Sequence, residues 1–523
     1  MLLYELLRSA DIFYRAQGDE NVEITTISSD SRTASEGSLF VCIRGRTYNG
    51  HSFVKDAVAR GVRAVLAEDE LEELPCGVTV IYTSDTSTAL SRLWDAWYNH
   101  PARDLKLIAV TGTNGKTTTT FMLDAVFSAA FYKCGVIGTV FCRTPKRVLE
   151  SEPHDGRTGM TTPEPEVLYR VLEMMRRDGA EYVFIEITSH ALALGRAEPL
   201  FFEAAIFTNL TAEHLDFHHT IENYFLAKAS LLEKCRIAFI NLDDSYAERY
   251  RAYARATGSG AKLLFYSAKG RKDADFRADN VKHLGCDGIS YSLSARNTLR
   301  EIRSRLPGDF TVENTLAAAS TALEFGISGR LIHEALFGFA GAPGRFKRAK
   351  MPKGYGTAVY IDYAHTPDAL EKLLKSARSL LPECGRLWTL FGCGGDRDRS
   401  KRPVMGRIAS SISDVCIITS DNSRSELPED IISEIIAGIE DPAKCRVIPS
   451  RAAAIEYAVE CAAMGDIILL CGKGHEKYEV GLGGKRFFDE EVIAQNAALG
   501  RLFREMNLTE EIRDGKDREE NES

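Results

Sequence analysis

The sequence predicts an α/β protein of three domains, the second a doubly wound sheet and the third a Rossmann-like one. Three observations predict it. The chain has 523 residues, more than one compact core organises. Apolar runs bounded by polar turns recur with helical stretches between them, the pattern of strands buried on both faces of a parallel sheet. Pro101 and the turn GAPGR at 341–345 interrupt that alternation. The boundaries read 1–100, 101–345 and 346–507, followed by a tail at 508–523.

In the first block AVARGVRAVLAE reads as helix, glycine stop and strand, VTVIYTSD as a strand, and STALSRLWDAWYNH as a helix ended by Pro101. The second block opens on the strand LKLIAVTG and continues through CGVIGTV, EYVFIEIT, EAAIFTNL and IAFINLD. A more polar stretch with β alternation, DGISYSLS, then leads to the helix FTVENTLAAASTALEFG. The third block carries the strands TAVYIDYA, RLWTLFG, DVCIITS and DIILLCG. The last sixteen residues hold ten charges and no apolar period, so disorder is expected there.

A formal charge of −9 argues against a nucleic-acid binder and leaves room for a local basic pocket. The twelve cysteines form no C-x-x-C or zinc-spaced cluster. No signal peptide or membrane-length apolar run is present, so a reducing cytoplasm is the expected location.

LIAVTGTNGKTT at 107–118 is a strand, a glycine turn and a helix start. Backbone N–H groups of such a turn cradle phosphates; Lys116 adds a charge and the Thr117 hydroxyl can ligate Mg²⁺. Gly112, Thr113, Asn114, Gly115 and Thr118 complete the loop, although Val110 stands where the strict pattern has glycine. No N-K-x-D guanine motif accompanies it. Glu186 ends the apolar run of EYVFIEITSH, where ligands bind in such sheets, and reads as a metal ligand beside Thr117 or as a cap of the next helix. FTNLTAEHLDFHHT crowds His214, Asp216, His218 and His219. IENYFLAKASLLEK reads as an amphipathic helix whose Lys228, by spacing alone, is a solvated lysine.

These stretches, with GDFTVENTLAAA, PGR, IDYAHTPDAL, FGCGGDRDRSKRP, SDNSR and GKGHE in this order, resemble the Mur ligases of peptidoglycan synthesis over nearly the whole chain. The branch most resembled adds the third residue of the stem peptide. The resemblance implies a cytoplasmic, monomeric ATP-dependent ligase that joins meso-diaminopimelate to UDP-N-acetylmuramoyl-L-Ala-D-Glu through an acyl phosphate, without nucleic-acid or membrane partners. It implies two Mg²⁺ ions, one held by Thr117 and Glu186, the other by His214 and Lys228 as a CO₂-derived carbamate. Lys116, Glu186, His214 and Lys228 are the catalytic set. Asn314, Arg345 and Asp362 join the loop in holding ATP, and the third domain closes about PGR. Ser29, Ser31, Arg46, Thr47 and Tyr48 fall on UDP-contacting positions of the first domain; Thr161, Thr162, Thr188 and Arg196 fall on muramoyl-contacting ones. Met160, Leu194 and Glu213 depart from the family's residues.

SDNSRSE alone reads as a solvated turn. Yet loops that follow parallel strands open on one edge, so Arg397, Arg424 and Glu476 can share a crevice. Two guanidinium forks and a carboxylate suit a doubly zwitterionic amino acid; L-lysine would leave one arginine without its carboxylate. By resemblance Asp421, Asn422, Ser423, Arg424, Gly472, Glu476 and Arg397 bind diaminopimelate. Ser423 replaces the family's proline, which leaves the loop backbone freer. The alternatives are the same chemistry with L-lysine or another diamino acid, a related ligase such as a folylpolyglutamate synthase, and a phosphate-loop ATPase that is no ligase.

Overall fold

The computed structural model describes the chain except residues 46–47, 72–76, 150–159, 296–297 and 522–523, and the side chains of 286, 298 and 506–521. The chain forms two compact units, Met1–Arg277 with Ala295–Asn297 and Leu316–Ile332, and Ala278–Ser294 with Thr298–Thr315 and His333–Ser523.

In the first unit the strands Thr26–Ser28, Ser38–Val41, Ala64–Ala67 and Thr79–Tyr82 pair in parallel, with Arg15–Gln17 antiparallel at one edge. Asp85 caps the helix Thr86–Trp97 by accepting from the N–H groups of Ser87 and Thr88. A second sheet runs Lys262–Ser267, Cys235–Asn241, Phe202–Phe207, Lys106–Thr111, Tyr182–Glu186, Cys134–Ile137, every neighbour parallel. All five residues of Tyr182–Glu186 are buried, as continuous apolar runs require. One apolar core extends from Leu3, Leu6 and Leu7 through Leu93 and Leu172 to Phe265. Register aligns Glu186 with Val110 and Phe207 with Thr111, so three strands end together where the phosphate loop begins.

In the second unit the helix Asp309–Glu324 begins; its residues to Thr315 belong here. The parallel strands Ala358–Asp362, Ile467–Cys471, Leu387–Phe391, Val415–Ile418 and Cys445–Val447 lie in that spatial order, with Lys347–Arg348 antiparallel at the edge. Each face carries its own core, around Leu374 and Ile435 on one side and Ile455 and Val459 on the other. A hairpin, Tyr478–Gly481 with Gly484–Phe487, follows the last strand. The final helix spans Glu490–Asn521; the disorder expected for 508–523 falls on residues whose side chains, or whole placement, lie outside the described set. Among the described residues no helix is long and apolar enough to cross a membrane.

Candidate active site

The phosphate loop has the backbone its glycines predict: Gly112 at φ +146 and Gly115 at φ +84, with the helix Lys116–Ala129 starting next. A Cβ on Gly112 would lie 1.9 Å from Thr208 Oγ1, so this position admits only glycine. Lys116 Nζ donates to the carbonyls of Gly112 and Thr113 at 2.9 and 2.8 Å, which folds it over its own loop. The segment after Phe202–Phe207 clamps the turn. Thr113 N donates to Asn209 O, Asn114 N to Asn209 Oδ1 at 2.9 Å, and Thr208 Oγ1 to Asn114 O at 2.6 Å. Tyr224 OH shares a 3.0 Å bond with Thr113 Oγ1. Sequence reasoning gave Thr208, Asn209 and Tyr224 no role.

Glu186 is fully buried. Its carboxylate accepts from Thr117 Oγ1 at 2.9 Å, and from the N–H and hydroxyl of Thr139, each at 3.0 Å. The alternative of a helix cap is not what forms: Thr188, not Glu186, caps the helix Ser189–Ala193 through its side chain. Thr139 was also missed, though its place just after Cys134–Ile137, a strand end of the same sheet, is a usable signal. Around Glu186, Thr139 Oγ1, its proton on the carboxylate, accepts from Thr161 Oγ1, and Thr162 Oγ1 donates to Glu186 O at 2.8 Å. Thr188 N donates to Thr162 Oγ1 at 3.0 Å, and Arg196 pairs with Glu164 at 2.6 Å. Thr161, Thr162, Thr188 and Arg196 therefore form one polar lining beside Glu186.

Lys228 overturns the solvated reading of its helix. It is 2% exposed, because Ile221–Ala229 lays this face against the strand ends. Its Nζ donates to Gly112 O at 3.0 Å and lies over the Tyr224 ring at 4.8 Å. Burial, and next the neighbouring Lys116, hold its pKa well below the usual lysine value. Among the described residues no carboxylate lies within ion-pair distance of it. His214, at φ +57, stands 4.7 Å from His190 between ring centroids. Burial, then Lys116 and Lys228, lower its pKa to about 4, so at neutral pH the imidazole is uncharged, with the lone pair of one ring nitrogen to offer. Among the described residues no group of three or more His, Cys, Asp or Glu forms a metal cluster. The donors that fit Mg²⁺ are the hard oxygens of Thr117 and Glu186.

In the first domain Ser29 is exposed, Ser31 half-buried and Tyr48 exposed, all beyond the strand Thr26–Ser28; Arg46 and Thr47 lie outside the described residues. In the second unit Asn314 is buried on its helix. The Asp362 carboxylate accepts from Phe346 N at 2.6 Å and Ala364 N at 2.7 Å, and Arg345 stacks over the Tyr363 ring at 4.6 Å. Burial pushes the Asp362 carboxyl up, opposed by Arg345. A Cβ on Gly344 would sit 2.1 Å from His475 N, and one on Gly474 would meet Gly344 O at 2.8 Å.

The loops after Leu387–Phe391, Val415–Ile418 and Ile467–Cys471 converge on one edge of the sheet, as expected of loops that follow parallel strands. Gly395 N donates to Asn422 O at 2.9 Å and Arg424 Nη1 to Gly395 O at 2.7 Å. A Cβ on Gly394 would approach Arg424 Nη1 at 2.9 Å and Arg397 Cγ at 3.9 Å, so both arginines flank this glycine. Asn422 Nδ2 donates to Glu476 Oε2 at 2.8 Å; the buried Lys473 donates to Asn422 Oδ1 at 3.0 Å and pairs with Asp421 at 3.3 Å. Burial raises the Asp421 carboxyl, yet Arg451 and Lys473 together bring it below its ordinary value; burial raises that of Glu476. A Cβ on Gly472 would lie 2.7 Å from Asp421 Oδ2.

The freer loop expected from Ser423 is not what forms. Ser423 is buried, and its carbonyl accepts from Glu426 N at 3.0 Å. Arg424 N donates to Val480 O, and Val480 N to Asn422 Oδ1. These bonds hold Arg424 at φ +52, a conformation that side-chain-bearing residues adopt only under such constraint.

Comparison with known proteins follows the same lines. The Mur ligase family catalytic domain matches residues 23–98, the Mur ligase middle domain 110–322, and the Mur ligase glutamate ligase domain 344–474. The chain is 40% identical over 509 residues to the UDP-N-acetylmuramoyl-L-alanyl-D-glutamate–2,6-diaminopimelate ligase of Syntrophomonas wolfei, covering 96% of this chain and 100% of that one. It is 39% identical to ligase 1 of the same description from Clostridium acetobutylicum, over 91% and 95%. A solved structure of a ligase so described superposes with a TM-score of 0.64 at 31% identity, over 91% and 95% of the two chains. With three matched domains in order and relatives aligned nearly end to end, the chain belongs to the Mur ligase family.

Proposed function

We propose that this ATP-dependent ligase adds meso-diaminopimelate to UDP-N-acetylmuramoyl-L-Ala-D-Glu in peptidoglycan precursor synthesis. An oxygen of the D-Glu γ-carboxylate attacks the γ-phosphorus; the bond to ADP breaks and an acyl phosphate forms. The amine of the incoming amino acid then attacks that carbonyl, phosphate leaves, and the nitrogen loses its proton as the amide forms. The first step brings a carboxylate to a polyanion. Lys116 and the N–H groups of the phosphate loop meet that charge, and Mg²⁺ held by Thr117 and Glu186 would spread what remains. Carbamylation of Lys228 would turn its buried amine into a carboxylate able to join His214 in holding a second ion. In support, burial drives the Lys228 amine toward its neutral, CO₂-reactive form, and among the described residues no carboxylate lies within ion-pair distance of it. Asn314, Arg345 and Asp362 serve the nucleotide, and Thr161, Thr162, Thr188 and Arg196 the muramoyl dipeptide.

The observation that supports diaminopimelate is the convergence of Arg397 and Arg424 on Gly394, with Glu476 tied to the same loop by Asn422. One end of the substrate offers an amine to the acyl phosphate; the other offers an ammonium to Glu476 and a carboxylate to an arginine. L-Lysine lacks that distal carboxylate, and its ammonium would stand beside a guanidinium. A competition assay offering both amino acids to wild type and Arg424→Ala tests this. Wild type should select meso-diaminopimelate and the variant should lose most of the preference; a wild type that selects L-lysine overturns the substrate.

A further inference from the structure

One carboxylate outside the substrate-binding set joins both arginine-bearing loops. Glu426 Oε1 accepts from Asp396 N at 2.6 Å, the residue before Arg397, and Glu426 itself lies two residues after Arg424. Both of its oxygens also accept from the Arg402 guanidinium, at 2.8 and 2.9 Å. Arg402 is fully buried; its Nη1 donates to Glu434 at 2.8 Å and its Nη2 to Gly394 O at 3.2 Å, beneath the glycine that both recognition arginines flank. Ser425 Oγ closes the second half of the tie on Asp396 at 2.5 Å. Asp396 and Arg424 have positive φ, +53 and +52, so each loop is held in a conformation its side-chain-bearing residues do not favour alone.

We infer that Glu426 is a positioning residue for amino-acid selection, setting the spacing between Arg397 and Arg424 by bridging Asp396 N to Arg402. This rests on the reading of that crevice as the diaminopimelate site. The tie does what proline does in the family pattern: it restricts the loop, here through a bond across to the neighbouring loop. Loss of the Glu426 charge weakens the tie on Asp396, so the loop that carries Arg397 can shift against that of Arg424, which its bonds to Val480 still hold, and the spacing of the two guanidinium groups changes.

The test is steady-state kinetics of Glu426→Gln with saturating ATP and UDP-muramoyl dipeptide, varying meso-diaminopimelate and, separately, L-lysine. The ratio of kcat/KM for the two amino acids should fall about tenfold or more, mostly through KM for diaminopimelate, while KM for ATP stays put. Glu434→Gln is the control: it weakens the other pairing of Arg402, and that of Arg399, but leaves the bond from Asp396 N to Glu426 in place, so the ratio should hold. An unchanged ratio in Glu426→Gln, or an equal fall in Glu434→Gln, overturns the inference. Wild type preferring L-lysine instead overturns the substrate reading, a distinguishable failure. If Glu426→Gln does not fold, Ser425→Ala cuts the exposed half of the tie. Its KM for diaminopimelate should rise about threefold, and no rise counts against the positioning role.

Discussion

Gly138→Ala tests the metal-side carboxylate without touching any residue assigned to a substrate. The added Cβ would stand 2.2 Å from Glu186 Oε1. Ordinary contact needs about 3.4 Å, so the oxygen must retreat by roughly 1.2 Å. That retreat breaks the bond from Thr139 N and rotates the carboxylate away from Thr117 Oγ1. Each charge-assisted bond lost costs about 1.5–3 kcal/mol. The chain should still fold, with a lower melting temperature, since alanine adds no backbone strain where φ is not positive. A misplacement of this size at a reacting centre slows turnover by roughly 10²-fold. The assay is ADP release with Mg²⁺ titrated at saturating ATP, amino acid and UDP-muramoyl dipeptide. The half-saturating Mg²⁺ should rise while ATP binding, which the phosphate loop supplies, changes little. Full turnover with an unchanged Mg²⁺ requirement would refute Glu186 as a metal ligand.

Three further outcomes are expected. Lys228→Ala should abolish turnover and regain part of it with added short carboxylates; full activity without them removes the carbamate from the scheme. Arg402→Met leaves the Glu426 and Glu434 carboxylates with Arg399 as their one remaining shared cation among the described residues, so stability should fall by about 1.5–3 kcal/mol in urea unfolding, and a change within error contradicts this. Arg402 holds the Glu426 carboxyl down at about 2, below its unfolded value. The ionised form is the one the fold prefers, so this contribution is complete above about pH 4.5 and is lost as pH falls toward 2. Acid unfolding of Glu426→Gln should accordingly be less steep over that interval, and an identical slope would contradict the assignment.

Strand periodicity made the parallel sheets of the second and third domains legible, since runs such as YVFIE and IILLC have few other places to go. It also placed Glu186, Arg397, Arg424 and Glu476 at strand ends, and the rule that loops after parallel strands open on one edge put the last three within reach of one crevice. What stayed hidden were bonds whose two ends are far apart in sequence. Thr139 and Glu186, or Asp396 and Glu426, have no shared pattern to betray them. Lys228 illustrates the limit differently. Helical spacing showed that its helix has an apolar face but not that the phosphate loop packs on a polar position; the family resemblance, not periodicity, singled it out. Ser423 was read by what its side chain lacks relative to proline, whereas the loop is fixed by its neighbours' backbone groups.

The glycine-to-glycine contact of Gly344 with Gly474 has a thermodynamic consequence. Backbone touches backbone there, with no side chain to give way, and Tyr363 Cβ closes the third side at 2.7 Å from where a Cβ on Gly474 would lie. Arg345 adjoins one glycine, and Glu476 lies two residues beyond the other. On the proposed assignment of Arg345 to the nucleotide and Glu476 to the amino acid, a shift imposed on Arg345 would be passed to the loop that carries Glu476, and the reverse would hold equally. Affinity for nucleotide and affinity for amino acid should then be linked, each ligand changing the other's dissociation constant by the same factor.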